Sequence, residues 1–416
     1  MFPDRTALPL DELLIELATA IELSDHDREI AENRYRRLKV HLERPSSPLS
    51  EHLLASGSLI YAQGSMAIGA TIVSGTEDDR FDVDALVEMT VPAGWSDDEV
   101  LDRLEEALKG FPGMIKIVRC TRCVQLQFAF MHMDVTILDP AAEPRALRVG
   151  EIFHSPDEGA AYRVPSNPFG FAGWYRASVG EGTREFQEAL RQRRREFAID
   201  RIPNVMVEKA EQENLPSGVP PRLDAQQVVA LKLMKRFLNM RYEDRALKRP
   251  PSIYLTKISS TCGYDDQGLT AQLERYAATL EEAMAAAEDA NAGPDERNPM
   301  YREDRLNDRW PQTQADRRAL REDMAFLQQA LAQARQADLK EISKILAGLF
   351  GERISTRTVG RYMDRATGSP VSYQPGTGRI IGRTAMLAPA LAKFAVAMPR
   401  HNFHASALPT EDDDDQ

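Results

Sequence analysis

The sequence predicts an α+β fold: a mixed β-sheet with flanking helices, followed by a C-terminal lobe of helices, with a cleft between them. Two patterns predict it. Residues 57–138 carry short apolar runs of strand length, which one amphipathic helix interrupts. After Pro140, segments with apolar residues at helical spacing alternate with joints rich in Pro, Gly and Asn. At 416 residues the chain exceeds a typical single-core domain, which favours two lobes.

The chain begins with helical periodicity. Leucine, isoleucine and alanine at helical spacing predict one long helix or two stacked helices over residues 10–43. A turn rich in Pro and Ser follows at residues 45–48. We therefore assign residues 1–50 to an N-terminal helical segment.

The next part of the chain predicts the sheet and its helix. Ser96 is the expected N-cap of a helix at residues 96–109, because acidic residues fill the first turn after it. We assign residues 51–165 to this core. Its strand-like runs lie at residues 58–63, 70–74, 81–89, 114–120, 123–130 and 131–138.

The remainder predicts the helical lobe, at residues 166–405. Residues 373–382 predict a hairpin or an exposed loop, and residues 406–416 predict a disordered tail because acids dominate them. The segments with helical periodicity lie at residues 183–199, 224–242, 268–290, 312–335 and 338–349.

Composition excludes several classes of protein. The net charge of −12 argues against broad electrostatic capture of DNA or RNA, so a polyanion must be bound locally, by metal ions or a few basic groups. No stretch approaches the ~20 apolar residues of a membrane helix, and the first residues lack the order of a secretory signal. Three cysteines do not make a disulfide framework. We expect a cytoplasmic protein that does not associate with membranes.

A cluster of acids marks the candidate site. In FDVDA at residues 81–85, strand alternation puts Asp82 and Asp84 on one face and the apolar residues on the other. Asp134 lies in a run that predicts a buried strand, where a lone carboxylate would cost several kcal/mol. Taken alone, Asp134 fits a salt bridge to an arginine or a metal site. Together, three carboxylates can hold two Mg²⁺ ions, the arrangement that serves phosphoryl transfer.

A turn of small residues precedes these acids. Gly64 lets the backbone approach a ligand closely, Ser65 can cap the short helix that follows, and Gln63 ends the preceding strand. Backbone N–H groups at the start of a helix suit a phosphate, although most Gly-Ser pairs are simple turns. Asp78 and Asp79 come before the alternation, and we interpret them as solvated turn residues.

The Gly-Ser turn, the strand at residues 81–85 and the later Asp134 together resemble the DNA polymerase β-type nucleotidyltransferase superfamily. Within it, the sequence looks most similar to the cGAS/DncV-like nucleotidyltransferases (CD-NTases). These are enzymes of bacterial antiphage signalling (CBASS) that make cyclic oligonucleotides. The resemblance covers roughly residues 55–310 and implies a polymerase β-like catalytic core with the active site in the cleft.

Strings in the helical lobe extend this resemblance. Residues 231–235 (LKLMK) are similar to a helix on which cyclic GMP-AMP synthases place lysines against the triphosphate, which implies that Lys232 and Lys235 bind phosphate. Ser252 stands in a segment similar to one whose serine also touches phosphate. From the residues alone, both lysines belong to a solvated polar face of their helix.

The resemblance implies a reaction in which a nucleotide hydroxyl attacks the α-phosphorus of a second NTP and releases pyrophosphate. It implies two Mg²⁺ ions, with Mn²⁺ as a substitute, held by Asp82, Asp84 and Asp134. The implied substrates are ATP, GTP or other NTPs, and CBASS regulatory proteins are the implied partners. Because the sequence lacks the zinc module of the animal members and is acidic, we expect a protein that does not require DNA. We also expect a monomer.

Two alternatives stay open. One is nucleotidyl transfer to an RNA end or a small-molecule acceptor, although an RNA-end enzyme usually carries more positive charge. The other is a nucleotide-binding protein that has lost catalysis, which the retention of all three acids disfavours.

Other residues whose side chains could bind a metal ion or stack on a base are interpreted as structural. Cys120 and Cys123 are expected to point to opposite faces of a strand, and His132 is expected to be a structural or surface group. Trp174 and Tyr254 are available to stack on a base, but aromatic residues are more often part of a core.

Overall fold

The computed structural model describes residues 8–55, 58–75, 80–141, 148–180, 182–200, 225–366, 371–374 and 379–382. The acids Asp78 and Asp79 and the predicted tail at residues 406–416 lie outside these ranges. The chain forms two compact units, residues 1–360 and 361–416. In the second unit, the predicted hairpin is confirmed, because β10 (Val371–Gln374) pairs with β11 (Arg379–Gly382) in antiparallel register.

The N-terminal segment contains α1 (Leu8–Ile21), α2 (Asp25–Leu42) and α3 (Ser50–Ala55). Of the two arrangements that the sequence allowed, two separate helices are observed. The Ser24 hydroxyl accepts a hydrogen bond of 3.1 Å from the Asp27 amide, and the Asp27 carboxylate accepts one from the Ser24 amide, which fixes the start of α2. The first helix packs on later helices and the second on the sheet, so this segment joins both parts.

Within the described residues, seven strands form one mixed sheet in the order β1-β2-β5-β4-β3, with β6 beside β5 and β7 beside β6. The central pair, β2 and β5, is parallel, and the other neighbours are antiparallel. The strands are β1 (Leu59–Gln63), β2 (Phe81–Glu88), β3 (Lys116–Arg119), β4 (Val124–Gln127), β5 (Met131–Pro140), β6 (Gly150–His154) and β7 (Tyr162–Ser166).

The sheet has one apolar face and one polar face near its centre. Val83 of β2 and Met133 of β5 are completely buried in the core, together with Leu104 of helix α5 (Asp97–Leu108). Ser96 caps this helix, as predicted. The residues between the buried ones in β2 and β5 face the opposite side, which confirms the alternation read from the sequence.

Two predictions about strands were wrong. Residues 70–74 form no strand; Ile72 makes only an isolated bridge with Glu22. Strands β6 and β7 were not predicted, because the region after Pro140 was expected to be mostly helical. Each has five residues and a weak pattern of burial, so neither carries a strong alternation.

All five predicted helical segments are helices, and helices α6, α9 and α13 were missed. None of the helices in the described ranges has both the length and the apolar character that crossing a membrane requires. The elements after β7 are α6 (Pro168–Ser178), α7 (Arg184–Asp200), α8 (Gln226–Tyr242), α9 (Ser252–Thr261), α10 (Leu269–Asp289), β8 (Arg297–Asn298), β9 (Tyr301–Arg305), α11 (Gln314–Ala334), α12 (Leu339–Phe350) and α13 (Glu352–Ala366).

Helix α8 lies at the centre of the helical region, in contact with α1, α9, α10 and α12. Lys232 and Lys235 are both buried, along with nearly every residue of the helix from Gln226 to Leu238. The expectation of a solvated polar face was therefore wrong. A helix enclosed on all sides must pair its charged groups internally.

Candidate active site

The three predicted acids converge on one face of the sheet. Strands β2 and β5 are parallel and in register, so Asp84 lies opposite Asp134 and Asp82 lies opposite His132. Adjacent strands are about 4.8 Å apart, which brings the carboxylates of Asp84 and Asp134 close together. Asp82 precedes Asp84 by two residues and projects from the same face.

Asp134 forms no ion pair with an arginine among the residues that the structure describes. Its carboxylate accepts a hydrogen bond of 2.9 Å from Gln125 Nε2, and Gln125 lies opposite Asp134 on β4. The Cys123 thiol is also near, since the charge of Asp134 contributes to raising the pKa of that thiol. The salt-bridge interpretation of Asp134 was therefore wrong, and the neutral Gln125 amide holds the carboxylate.

The electrostatics of the acids reflect their proximity. Burial raises the pKa of Asp84 to about 7, and the charges of Asp134 and Asp82 add to this effect. Lys235 and the Ser65 backbone N–H act in the opposite direction. Burial also raises the pKa of Asp134, and the charge of Asp82 contributes. Carboxylates that repel one another in a buried place are typical of a site for cations.

The donor set fits a hard divalent cation, since all three acids supply oxygen atoms on one face. Among the described residues, no three His, Cys, Asp or Glu side chains are already assembled as a complete set of metal ligands. The Asp82 side chain is 72% exposed, and His132 Nδ1 lies 3.4 Å from its carboxylate.

The Gly-Ser turn lies directly against these acids. Gly64 has a φ of +57°, and a Cβ atom on it would lie 2.1 Å from Asp84 Oδ2. Only glycine combines that backbone conformation with that approach. The Ser65 backbone N–H lies near enough to Asp84 to counter the rise of its pKa, and Thr71 Oγ1 donates to the Ser65 hydroxyl at 3.1 Å.

The predicted capping role of Ser65 was wrong. The short helix α4 (Gly64–Ala67) begins one residue earlier, with Gln63 as N-cap and no side-chain capping bond. Gln63 itself pairs with Asp84 across β1 and β2. Gly64 and Ser65 line the cleft, whereas Gln63 lies behind them.

A cavity of about 580 Å³ contains this site. The sheet and α4 line one side of it, and α6, α8 and α9 line the other. Lys235 reaches it from α8 and donates a hydrogen bond of 2.9 Å to the Ala70 carbonyl. Burial and the nearby Arg249 lower the pKa of Lys235 to about 8, while Asp84 and Asp82 oppose that shift. Ser252, the first residue of α9, lies on the same side.

Lys232 is not part of the cleft. Its Nζ donates to Glu22 Oε1 at 2.7 Å, and Arg194 binds the same carboxylate at 2.8 Å. Lys232 and Lys235 are separated by less than one helical turn, but they contact different neighbours. The structure therefore brings Lys235 and Ser252 to the acids, and places Lys232 in an ion-pair network among α1, α7 and α8.

Sequence interpretation missed several residues of the cleft. His132 lines the cavity instead of being structural or surface-exposed, and Arg80 contacts its Nε2 atom at 2.9 Å. Alternation with Asp134 was the signal that could have identified His132. Arg249 and Gln125 also line the cavity, and no local pattern marks either of them.

The cysteine prediction was wrong in its geometry. Cys120 and Cys123 flank the turn between β3 and β4, and the Cys120 amide donates to the Cys123 carbonyl at 2.9 Å. They are cross-strand neighbours on one face, and their thiols are in contact. Burial raises the pKa of both thiols, and both cysteines are free.

Aromatic residues at the cleft differ from those proposed. Tyr254 is completely buried and stacks near Trp310, so it belongs to the core. Phe171 of α6 lines the cavity and contacts Trp174. Helix α6 thus contributes to the cleft. Asn167 starts the helix by accepting a hydrogen bond from Gly170, with proline in the first turn.

Relatives of known identity share this architecture. No model of a known protein family matches the sequence. The chain is 32% identical to the cyclic dinucleotide synthase CdnG of Bradyrhizobium diazoefficiens over 402 residues, which cover 95% of this chain and 93% of the relative. The structure of that CD-NTase in complex with GTP matches with a TM-score of 0.71 over 85% of this chain and 99% of the other.

More distant structures share the fold. CdnC of Escherichia coli MS115-1, solved with ATP, matches with a TM-score of 0.53 at 16% identity, over 82% of this chain and 97% of the other. The cyclic AMP-GMP synthase DncV of Vibrio cholerae, solved with nonhydrolysable GTP, matches with a TM-score of 0.50 at 15% identity, over 84% and 87%.

The mixed sheet, the acid cluster and the adjoining Gly-Ser turn define a nucleotidyltransferase with a polymerase β-like fold. The Bradyrhizobium relative narrows the assignment from this class to one family, because the two sequences are 32% identical over 95% of this chain. The chain belongs to the CD-NTase family, the nucleotidyltransferases that synthesise cyclic nucleotides.

Proposed function

We propose that this chain is a cyclic oligonucleotide synthase that joins NTPs with release of pyrophosphate and yields a cyclic di- or trinucleotide. The observation that carries the proposal is the parallel register of β2 and β5, which aligns Asp84 with Asp134 beside the Gly64-Ser65 turn. The same cavity is lined by the three acids and by Ser65, Lys235 and Ser252, which supports their proposed roles towards cations and phosphates.

The residues of the cleft divide into two groups. Asp82, Asp84 and Asp134 would hold two Mg²⁺ ions, or Mn²⁺ in their place, and these ions would stabilise the negative charge that develops during transfer. Ser65, Lys235 and Ser252 bind the phosphates of the donor nucleotide, with Lys235 supplying a positive charge. Gln125 holds Asp134 in position through its amide. Most of the acceleration comes from placing the acceptor hydroxyl in line with the α-phosphorus.

The proposed substrates are ATP and GTP. GTP is bound in the Bradyrhizobium CdnG structure and ATP in the Escherichia coli CdnC structure. The cavity of about 580 Å³ is of a size that suits such ligands. We propose that the product is a second messenger of antiviral (CBASS) defence, made by a monomer without DNA. CdnC forms a complex with a HORMA protein, which supports a regulatory protein partner for this chain too.

The test is product formation from labelled NTPs with Mg²⁺, comparing wild type with the double variant Asp82→Asn and Asp84→Asn. Phosphatase-resistant cyclic product should form with wild type and fall to background with the variant. Glu106→Gln, which removes an exposed carboxylate of α5, is the matched control and should leave synthesis unchanged. Full synthesis by the double variant would refute the site. Product that appears only with added RNA would refute cyclisation.

A further inference from the structure

The cleft contains a cation that none of the roles above uses. Arg249 lies in the segment between α8 and α9, three residues before Ser252, and lines the cavity together with Lys235. It is exposed to solvent within the cleft. Arg249 therefore lies close to the proposed phosphate-binding residues while remaining open to a ligand.

The surroundings of Arg249 leave its hydrogen-bonding groups available. Across the described ranges, its guanidinium forms no hydrogen bond or ion pair with another side chain or with the backbone. Although the side chain is open to the cleft, the surrounding walls partly desolvate its guanidinium and lower its pKa, and the charge of Asp82 partly offsets this. An arginine has five N–H donors and stays protonated, so a donor set left without protein acceptors is suited to an anionic ligand.

Two cations of the cleft are neighbours. The charge of Arg249 lowers the pKa of Lys235, which shows that the two groups repel each other. Asp82 compensates for part of this charge, but the proposed cations would occupy Asp82 when substrate is bound. An anion with several charges between Arg249 and Lys235 would remove the repulsion.

The backbone around Arg249 is fixed on both sides. The Lys248 carbonyl accepts a hydrogen bond of 3.0 Å from Trp310 Nε1. Pro250 and Pro251 follow, and Pro251 is the N-cap of α9. Proline restricts the backbone, so the base of the Arg249 side chain is held in a constant position relative to Ser252.

We propose that Arg249 is a binding residue for the triphosphate of the donor nucleotide, acting with Lys235 and Ser252. This inference rests on the proposed function and adds a residue to it. The planar guanidinium can bind two phosphate oxygens at once, which a lysine cannot do. Arg249 would thus fix the orientation of the triphosphate, while Lys235 supplies charge.

The experiment compares Arg249→Gln and Arg249→Lys with wild type, using inorganic tripolyphosphate as the probe. Calorimetry should show binding weakened roughly 10- to 100-fold by Arg249→Gln, the range expected for a lost hydrogen-bonded charge. Arg249→Lys should fall between the two. With NTP substrate, KM should rise by a similar factor, while kcat changes less. Lys248→Gln removes an adjacent exposed positive charge outside the cavity lining and should match wild type.

Wild-type affinity for tripolyphosphate in Arg249→Gln would overturn the inference, and so would an equal loss in Lys248→Gln. If Arg249→Gln does not fold, Arg249→Lys decides: it keeps the charge, and unchanged affinity and KM in this variant would exclude a bidentate contact. The proposed function fails separately, if wild type binds tripolyphosphate but forms no cyclic product from any pair of NTPs.

Discussion

At the scale of single residues, ionisation of the buried Asp84 lowers the stability of the folded state. It is buried beside two other acids, and its pKa is raised to about 7. The unfolded chain ionises the same group near 3.8. The folded state therefore holds its proton more tightly, and stability falls as the pH rises from about 4 to about 7. Buried ionisable groups with perturbed pKa values, which are common at functional sites, often reduce stability in this way.

We predict that Asp84→Asn stabilises the protein and abolishes synthesis. The asparagine removes the repulsion among the acids and can still accept a hydrogen bond from the Ser65 amide. At pH 8 without divalent cations, the free energy of unfolding should rise by about 2 kcal/mol. Denaturant unfolding measures this value. The gain should shrink as the pH falls below about 7 and disappear well below 3.8, where Asp84 is protonated in both states. A gain independent of pH would contradict the explanation.

At the scale of elements, helix α8 connects two different environments. Lys235 points into the cleft, and Lys232 joins α8 to α1 through Glu22. Burial raises the pKa of Glu22, but Lys232 and Arg194 outweigh this effect and lower it to about 2. The ion-pair network therefore stays charged at neutral pH and holds the helix against its neighbours.

The two lysines of α8 should respond differently to the same substitution. Lys232→Met should destabilise the fold by about 1–3 kcal/mol, because Glu22 keeps only Arg194 as a partner, while KM for NTP stays close to wild type. Lys235→Met should raise KM at least tenfold with little loss of stability, because burying its charge is unfavourable without substrate. Thermal unfolding and steady-state kinetics on both variants test this. If Lys232→Met also raised KM for NTP, this result would contradict the structural role of Lys232 and indicate that it binds phosphate.

At the scale of the whole molecule, the sheet and the helices of the first unit meet at one cavity. Its acids come from β2 and β5, and its basic and hydroxyl groups come from α4, α8 and the start of α9. A nucleotide bound together with a cation would contact both the acids and the basic and hydroxyl groups. Ligand binding should therefore stabilise the unit as a whole and not only one element.

We predict that Mg²⁺ raises the melting temperature and that the rise depends on pH. The cation relieves the repulsion among Asp82, Asp84 and Asp134, and at pH 6 it must first displace the proton of Asp84. The increase in Tm should be larger at pH 8 than at pH 6, and EDTA should reverse it. NaCl of equal ionic strength is the control. The double variant of Asp82 and Asp84 should lose the increase, and an increase that persists would place the cations elsewhere.

Much of the fold was predictable because its signals are local. Alternation in β2 put Asp82 and Asp84 on one face, and apolar periodicity located α8, α10 and α11. Short or weakly patterned elements were missed, including β6, β7 and α6. The conformation of these residues depends on distant neighbours: Asn167, for example, caps α6 while its backbone N–H donates a hydrogen bond of 2.9 Å to Asp304 Oδ2. The domain boundaries at residues 50 and 165 stay predictions.

The sequence by itself determined which acids converge at the candidate site, because strand alternation and the apolar run around Asp134 are properties of short stretches of chain. Only the tertiary structure decided which cations face them. Lys232 and Lys235 look equivalent along the helix, and Arg249 has no motif, yet long-range packing turns Lys232 towards Glu22 and brings Lys235 and Arg249 into the cleft. The pairing of a buried charge depends on residues far away in the chain, and no local pattern records it.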